Sequence, residues 1–299
     1  MNATSLRILT PAKVNLILRV LERRPDGFHA IWSLMQTVGL EDELILTIRD
    51  GGPGRIALRC DHAALAADQT NLVYRAAQLV LDQVDRNVDL SINLSKRIPL
   101  GAGLGGGSSD AAATILGLTR LLGLDWPVER MSEIGQQLGS DVPFFFLAPA
   151  AVVTGRGEQG RSVQVSGTRW IVLVNPGFPV ETKWAYQQLS ASRPAVRPLS
   201  QALQQLGSRS VLDWSEIIPL VENDFEAPVF AEHPLLAEIK QRLLSQGAEV
   251  ALLSGSGATM FGVFADKAGA ERAAAVFARD PRTKAYAVPT VGAPVTSMA

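Results

Sequence analysis

Between Pro99 and Ser109 the chain reads PLGAGLGGGSS, followed by Asp110 and three alanines. Glycines this dense let backbone N–H groups approach an anion without interference from Cβ atoms. A helix predicted from Ser109 to Leu122 would aim its unsatisfied N–H groups and positive dipole end at the same spot. The chemistry that suits this arrangement is the binding of a polyphosphate, by a ribbon that contains no lysine. Gly101, Gly103 and Gly106 also satisfy G-x-G-x-x-G, but the dinucleotide fingerprint needs a fully buried parallel strand directly before it and an acidic residue closing the next strand. Here the preceding VDLSINLS alternates polar and apolar residues, SKRIP intervenes, and Asp125 falls in a turn between helices. The Walker loop fails as well, because Ser108 and Ser109 stand where it needs a lysine. A glycine turn whose Ser109 or Asp110 merely caps a helix explains one residue and leaves the glycine excess, with its ordering cost, unexplained.

Other residues have the types that phosphoryl chemistry uses, each beside a plainer reading. Asp141, in LGSDVPFFF, follows a helix-ending glycine and precedes phenylalanines that must be buried. Burial favours the neutral acid and a nearby cation the ion, a balance that can set a general base; a turn or N-cap aspartate fits the same spacing. Lys13 and Asn15 share one side of a strand in KVNLILRV, where Lys13 on its own reads as a solvated surface residue. His29, in the turn RRPDGFH, does so too. SGSGAT (residues 254–259) joins two strands, and Asn223 and Asp224 in ENDFE read as structural.

The elements that must position these residues follow from periodicity. Val14, Leu16, Leu18 and Val20 alternate with polar residues, the pattern of a strand with one solvated face. IWSLMQTV, DELILTIR and RIALRC follow as strands separated by turn residues and predict an antiparallel meander. Helices are predicted at 71–84, with Asn71 as cap, and at 127–138. VDLSINLS is a strand. Beyond residue 160 come the buried strand WIVLVNPG, a helix near ETKWAYQQL and a long polar loop over 190–215 with one short helix. A helix LLAEIKQRLLSQG, paired strands EVALLSG and ATMFGVF, a helix KAGAERAAAVFAR and a last strand KAYAVPTV complete the chain. Interleaved helices and antiparallel strands predict an α+β protein, divided into residues 1–160 and 161–299.

The 299 residues, 47% of them hydrophobic, are enough for two ordinary cores. A net charge of −1 gives no basic face for nucleic acid. One cysteine and three scattered histidines offer neither an intrachain disulfide nor a zinc site. No stretch reaches the ~18 apolar residues of a membrane span, and the start lacks the apolar run of a signal peptide. These features predict a cytoplasmic protein, monomer or homodimer.

With PLGAGLGGGSSDAA as its second motif, the sequence resembles the GHMP kinases, and PAKVNLILRVLERRPDGFH, GSDVPFFF, ENDFE and LSGSGATMFGVF extend the likeness over residues 11–264. The resemblance implies a two-lobed kinase, with an N-terminal domain like domain 2 of ribosomal protein S5 and a ferredoxin-like C-terminal α/β sandwich. It implies ATP over Pro99, Leu100, Gly101, Ala102, Gly103, Leu104, Gly105, Gly106, Gly107, Ser108 and Ser109, Mg2+ beside it, and Lys13 and Asp141 as the catalytic pair. PAKVNL with a following DGFH matches one branch of the family, whose substrate is a small alcohol with a cytidine end. Asn15, Phe28 and His29 then fall at substrate-binding positions, and Thr182 is expected to approach that nucleotide. The branch commonly has Tyr where this chain has Phe28, so a phenol hydroxyl is lost while a ring that can stack on cytosine remains. The same resemblance folds SGSGAT back over the active site. It assigns no protein ligand to the metal, with Ser108 or Ser109 the candidates.

Overall fold

The computed structural model describes residues 3–193 and 195–291, and the backbone of 297–298. In the first half, strands β1 (Ala3–Arg23), β2 (His29–Asp50), β3 (Ile56–Cys60), β4 (Val88–Ser95), β5 (Ala150–Thr154) and β6 (Gln159–Ser162) form one sheet. Helices α1 (Leu72–Leu81), α2 (Gly106–Leu121), α3 (Val128–Gln136) and α4 (Phe144–Leu147) accompany it. In α1 the buried Val73, Ala76, Ala77 and Val80 recur at helical spacing. Asn71 caps it, its side chain accepting from the Val73 N–H at 3.0 Å. In β4, Val88, Leu90, Ile92 and Leu94 are buried and pack beneath α1 and α2 in one core.

The second half contributes β7 (Gln164–Ser166), β8 (Trp170–Asn175), β9 (Val211–Asp213), β10 (Glu222–Asn223), β11 (Val250–Leu253), β12 (Met260–Phe264) and β13 (Lys284–Pro289). Its main sheet is antiparallel in the order β11-β12-β8-β13. This order, with α10 (Lys267–Ala278) joining β12 to β13, is the ferredoxin-like arrangement. The remaining helices, α5 (Thr182–Ser192), α6 (Gln201–Ser208), α7 (Trp214–Ile217), α8 (Glu226–Glu232) and α9 (Pro234–Ser245), fill in around it. The architecture is the two-lobed α+β one that the sequence predicts. β6 spans the division placed after residue 160, and the first sheet takes two strands from the second half, β10 parallel and β14 (Ser297–Met298) antiparallel to β1.

Four local expectations are corrected. Residues 29–50 form one long strand, and β3 does not continue a meander, because it lies parallel to β4. β3, α1 and β4 are a strand, a crossover helix and a strand, and such a connection returns the chain in the same direction. β1 has no solvated face over residues 10–20. Its Ala12, Val14, Leu16 and Ile17 pack with Ile171, Leu173, Phe261 and Val263 of the second sheet. The stretch 190–215 holds the one short helix expected, α6, but it is not a long loop, since it also holds the end of α5, all of β9 and the start of the helix that begins at Trp214. Finally, α2 opens at Gly106 instead of Ser109, with the Ser109 N–H reaching back 2.9 Å to the Gly105 carbonyl.

Candidate active site

A cleft of about 1240 Å³ opens between the lobes, and it gathers residues far apart in the chain. Lys13, Asn15, Phe28, His29, Gly103, Gly105, Ser108, Asp141 and Thr182 all line it. Ala102, Leu104 and Ser109 are buried beneath the ribbon, while Pro99, Leu100, Gly101, Gly106 and Gly107 lie outside the cleft lining. No side chain caps α2, whose N-cap is Gly105 in the left-handed conformation. Asp110 lies a turn inside the helix, so the capping reading of Ser109 and Asp110 fails and the N–H groups of the first turn take no side-chain cap.

Lys13 is 3% exposed, not the solvated surface lysine that β1 alone suggests. Its Nζ donates to Asn15 Oδ1 at 2.8 Å and stands 3.3 Å from Asp141 Oδ2. Asn15 Nδ2 donates to Ser33 Oγ at 2.9 Å, and that hydroxyl donates to the Ile17 carbonyl at 2.7 Å. With both amide ends engaged, Asn15 has one orientation, which fixes the ammonium next to it. The backbone N–H of Lys13 donates to the Leu104 carbonyl at 2.9 Å, tying β1 to the ribbon. Gly105 has no side chain because that space holds Lys13: a Cβ there would meet Lys13 Cγ at 2.9 Å, and its φ of +69° disfavours any other residue.

Asp141 lies in the turn between α3 and α4, where the Val142 N–H bonds the Gly139 carbonyl at 3.2 Å. It caps no helix: α4 begins at Phe144, with Pro143 before it. Phe144 and Phe145 behind it are buried, while its own side chain is 31% exposed and faces the cleft. The carboxylate is thus held on a rigid apolar base yet open to a bound molecule.

At the other end of the cleft, Phe28 is 57% exposed with the Arg156 guanidinium 5.1 Å from its ring centre. His29 stacks on Tyr186 at 5.2 Å, and its Nε2 is 3.2 Å from Ser190 Oγ. Partial burial, then the charges of Arg193 and Arg23, push the His29 imidazole below its ordinary value. Burial, reinforced by the Asp141 charge, pushes Tyr186 up to about 12, so its hydroxyl keeps its proton at neutral pH. Tyr186 packs edge-on against Phe225 at 4.8 Å. Arg156, Tyr186, Ser190 and Phe225 were not singled out in the sequence. Tyr186 and Ser190 had a signal: they follow Thr182 at four-residue steps along α5, on one helix face.

SGSGAT folds back onto the ribbon. Ser254 Oγ donates to the Gly103 carbonyl at 2.9 Å, the Thr259 N–H donates to the Ala102 carbonyl at 3.2 Å, and Ser256 Oγ lies 3.0 Å from Thr182 Oγ1. Asn223 Nδ2, buried, donates to the Leu253 and Gly255 carbonyls at 2.7 and 2.8 Å and so holds the loop from behind. A Cβ on Gly103 would stand 2.0 Å from the Ser254 carbonyl oxygen, and its φ is +76°. Part of the glycine excess therefore serves contact between the lobes as well as approach to an anion. Gly103→Ala is expected to lower stability by about 3 kcal/mol, or roughly 6–12 °C in Tm. Thermal denaturation checks this, and an unchanged Tm would show that the two loops separate freely.

The ribbon fits a polyphosphate on its own chemistry. Ser109 Oγ is fully buried without a hydrogen-bond partner, a hydroxyl left available at the base of α2. Among the described residues no cluster of three His, Cys, Asp or Glu could hold a metal ion. Mg2+ does not need such a cluster, since it usually binds through substrate phosphates with one or two protein carboxylates.

Residues 71–148 match the family described as GHMP kinases N terminal domain, and residues 199–281 match GHMP kinases C terminal. The chain belongs to the GHMP kinases, which are ATP-dependent small-molecule kinases. Within that family it is 40% identical over 286 residues to a 4-diphosphocytidyl-2-C-methyl-D-erythritol kinase of Citrifermentans bemidjiense, covering 96% of this chain and 99% of that one. A kinase of the same name from Solibacter usitatus is 43% identical over 272 residues, 90% of this chain and 84% of its own. A crystal structure of 4-(cytidine 5'-diphospho)-2C-methyl-D-erythritol kinase superposes with a TM-score of 0.80 at 33% identity, covering 96% of this chain and all of that one.

Proposed function

We propose that the chain transfers the γ-phosphoryl group of ATP to the 2-hydroxyl of 4-diphosphocytidyl-2-C-methyl-D-erythritol. The observation that carries this reading is the contact of Lys13 with Asp141 at 3.3 Å, in a cleft bounded by the glycine ribbon at one end and by Phe28 and His29 at the other. The lobe of residues 1–160 supplies the ribbon, Pro99 to Ser109, whose backbone N–H groups and α2 amino end hold the phosphates. Residues 161–299 supply Thr182 and the SGSGAT loop that close over them. Asp141 accepts the proton of the substrate hydroxyl as its oxygen attacks the γ-phosphorus, and ADP leaves with the electrons of the broken P–O bond. Lys13 steadies the charge on the attacking oxygen and the transferring group. Asn15 orients Lys13 and is within reach of the alcohol.

Phe28 and the His29–Tyr186 stack take the cytosine, and the Arg156 guanidinium lies over the face of the Phe28 ring. Mg2+, where bound, offsets the charge of the triphosphate, with Ser108 or Ser109 the protein oxygens nearest in sequence to that role. No helix among the described residues is long and apolar enough to cross a membrane. That, with a single cysteine, supports placing the protein in the cytoplasm.

A panel of alcohols with Mg-ATP tests the reading. ADP release is expected with the cytidyl substrate at least ~100-fold faster in kcat/KM than with mevalonate or homoserine, the discrimination that a site built around a polar recognition group can reach. Turnover of mevalonate or homoserine, but not of the cytidyl alcohol, would assign the site to another branch of the family. ATP binding without turnover of any of them would leave a nucleotide-binding module.

A further inference from the structure

Beneath the ribbon lies a buried charge cluster of which the motifs include Asp110 alone. Lys96 Nζ donates to Asp42 Oδ2 and, at 2.7 Å, to Asp110 Oδ2, and all three side chains are at most 2% exposed. Thr10 Oγ1 donates to Asp110 Oδ1 at 2.6 Å. Asp42 Oδ1 accepts the backbone N–H groups of Arg97 and Ile98, the latter at 2.8 Å. The position of this cluster in the chain is what gives it meaning. Lys96 to Ile98 are the residues by which the chain enters the ribbon, and Asp110 lies on the helix by which it leaves. A Cβ placed on Gly106, the first residue of α2, would be 3.3 Å from Lys96 Nζ and 2.9 Å from Ile98 Cγ2. One ammonium, shared by two carboxylates, therefore joins both ends of an otherwise side-chain-poor loop to each other and to β2.

Ion clusters this deep are not a sound device for stability alone, because desolvation consumes most of the attraction. Burial on its own would lower Lys96, and the charges of Asp110 and Asp42 overcome that and raise it. Burial pushes Asp110 up to about 6, against the pull of Lys96 and helped by Asp42. The cluster thus sets two carboxyl groups around one buried amine, a costly arrangement that leaves Lys96 Nζ fully engaged inside the protein. A lysine so held is not free to reach a phosphate.

We propose that Asp42, Lys96 and Asp110 form a clasp of positioning residues that fixes the ribbon's two ends at the separation an ATP triphosphate requires, without touching ATP. The proposal rests on the reading of the ribbon as the ATP cradle. In Asp42→Asn and Lys96→Met, the Kd for ATP and its KM are expected to rise about tenfold, while KM for the alcohol changes less than twofold. Lys96→Arg is expected to recover most of the affinity. A role confined to stability would lower Tm and leave that split absent, so wild-type ATP affinity in folded clasp variants overturns the proposal. An equal rise in both KM values overturns it too. If Lys96→Met does not fold, Asp42→Asn decides, since it leaves Lys96 paired one to one with Asp110. Gly107→Asp, which sets a carboxylate on the ribbon itself, separates the two readings. If it abolishes ATP binding while the clasp variants bind normally, the clasp alone is wrong; if it binds ATP like wild type, the cradle reading and the clasp fall together.

Discussion

Asp141→Asn is expected to lower kcat by about 10²–10⁴-fold, the range that loss of a general base commonly produces, with ATP affinity unchanged. The carboxylate is the candidate proton acceptor that both faces the cleft and touches a buried cation, standing 3.3 Å from Lys13 Nζ. Asparagine has nearly the same shape, so the turn between α3 and α4 and its Phe144 and Phe145 support stay as they are. What changes is that an amide cannot accept the hydroxyl proton at neutral pH. ATP affinity is spared because the ribbon holds its anion through backbone N–H groups and a helix end, neither of which uses Asp141. The measurement is kcat at saturating concentrations of both substrates, with ATP titrated separately. Single-turnover rates show whether product release masks the chemical step. A kcat within threefold of wild type would remove Asp141 as the base and leave it a partner that merely neutralises Lys13.

The parts of this site that were legible in the sequence are those where chemistry demands an unusual local composition. The ribbon qualifies, because no ordinary turn needs so many glycines, and so does Asp141, set between a helix stop and a phenylalanine run. Lys13 was visible only as a member of a motif. Its burial depends on the ribbon at Gly105, on Asp141 and on the loop at Gly255, where a Cβ would lie 3.5 Å from Lys13 Nζ. No local pattern announces a face that is covered by segments so remote. The same non-local packing explains Gly103 and Gly105, which the sequence offers simply as phosphate-loop glycines and which in the fold also make room for the Ser254 carbonyl and for Lys13. Tyr186 was hidden for the opposite reason: an aromatic on a helix looks like core, and one side of its ring does pack on the buried Phe225. Lys96 was hidden because the ribbon itself has no lysine, whereas the one that braces it lies just upstream, paired with a carboxylate from β2.

Lys13→Met is the other variant with a large expected effect: a fall in kcat of about 10²–10³-fold, the size seen when one donor to developing charge is removed. Its structural consequence is expected to be small, for reasons the geometry supplies. Removing one partner of a buried ion pair usually strands a charge in the interior at a cost of several kcal/mol. Asp141, however, is 31% exposed and can be solvated once Lys13 is gone. The methionine side chain replaces the buried lysine stem nearly atom for atom, which keeps the space beside Gly105 filled. Circular dichroism and a Tm within a few degrees of wild type check that the fold survives, and kcat with the cytidyl alcohol reads the loss. The double variant Lys13→Met with Asp141→Asn adds the deciding comparison. Two residues that act on the same oxygen as a unit give non-additive losses, so the pair is expected to be about as slow as the slower single variant. Losses that multiply in the double variant would mean that the lysine and the aspartate act in separate steps, and the contact between them would then be an accident of packing.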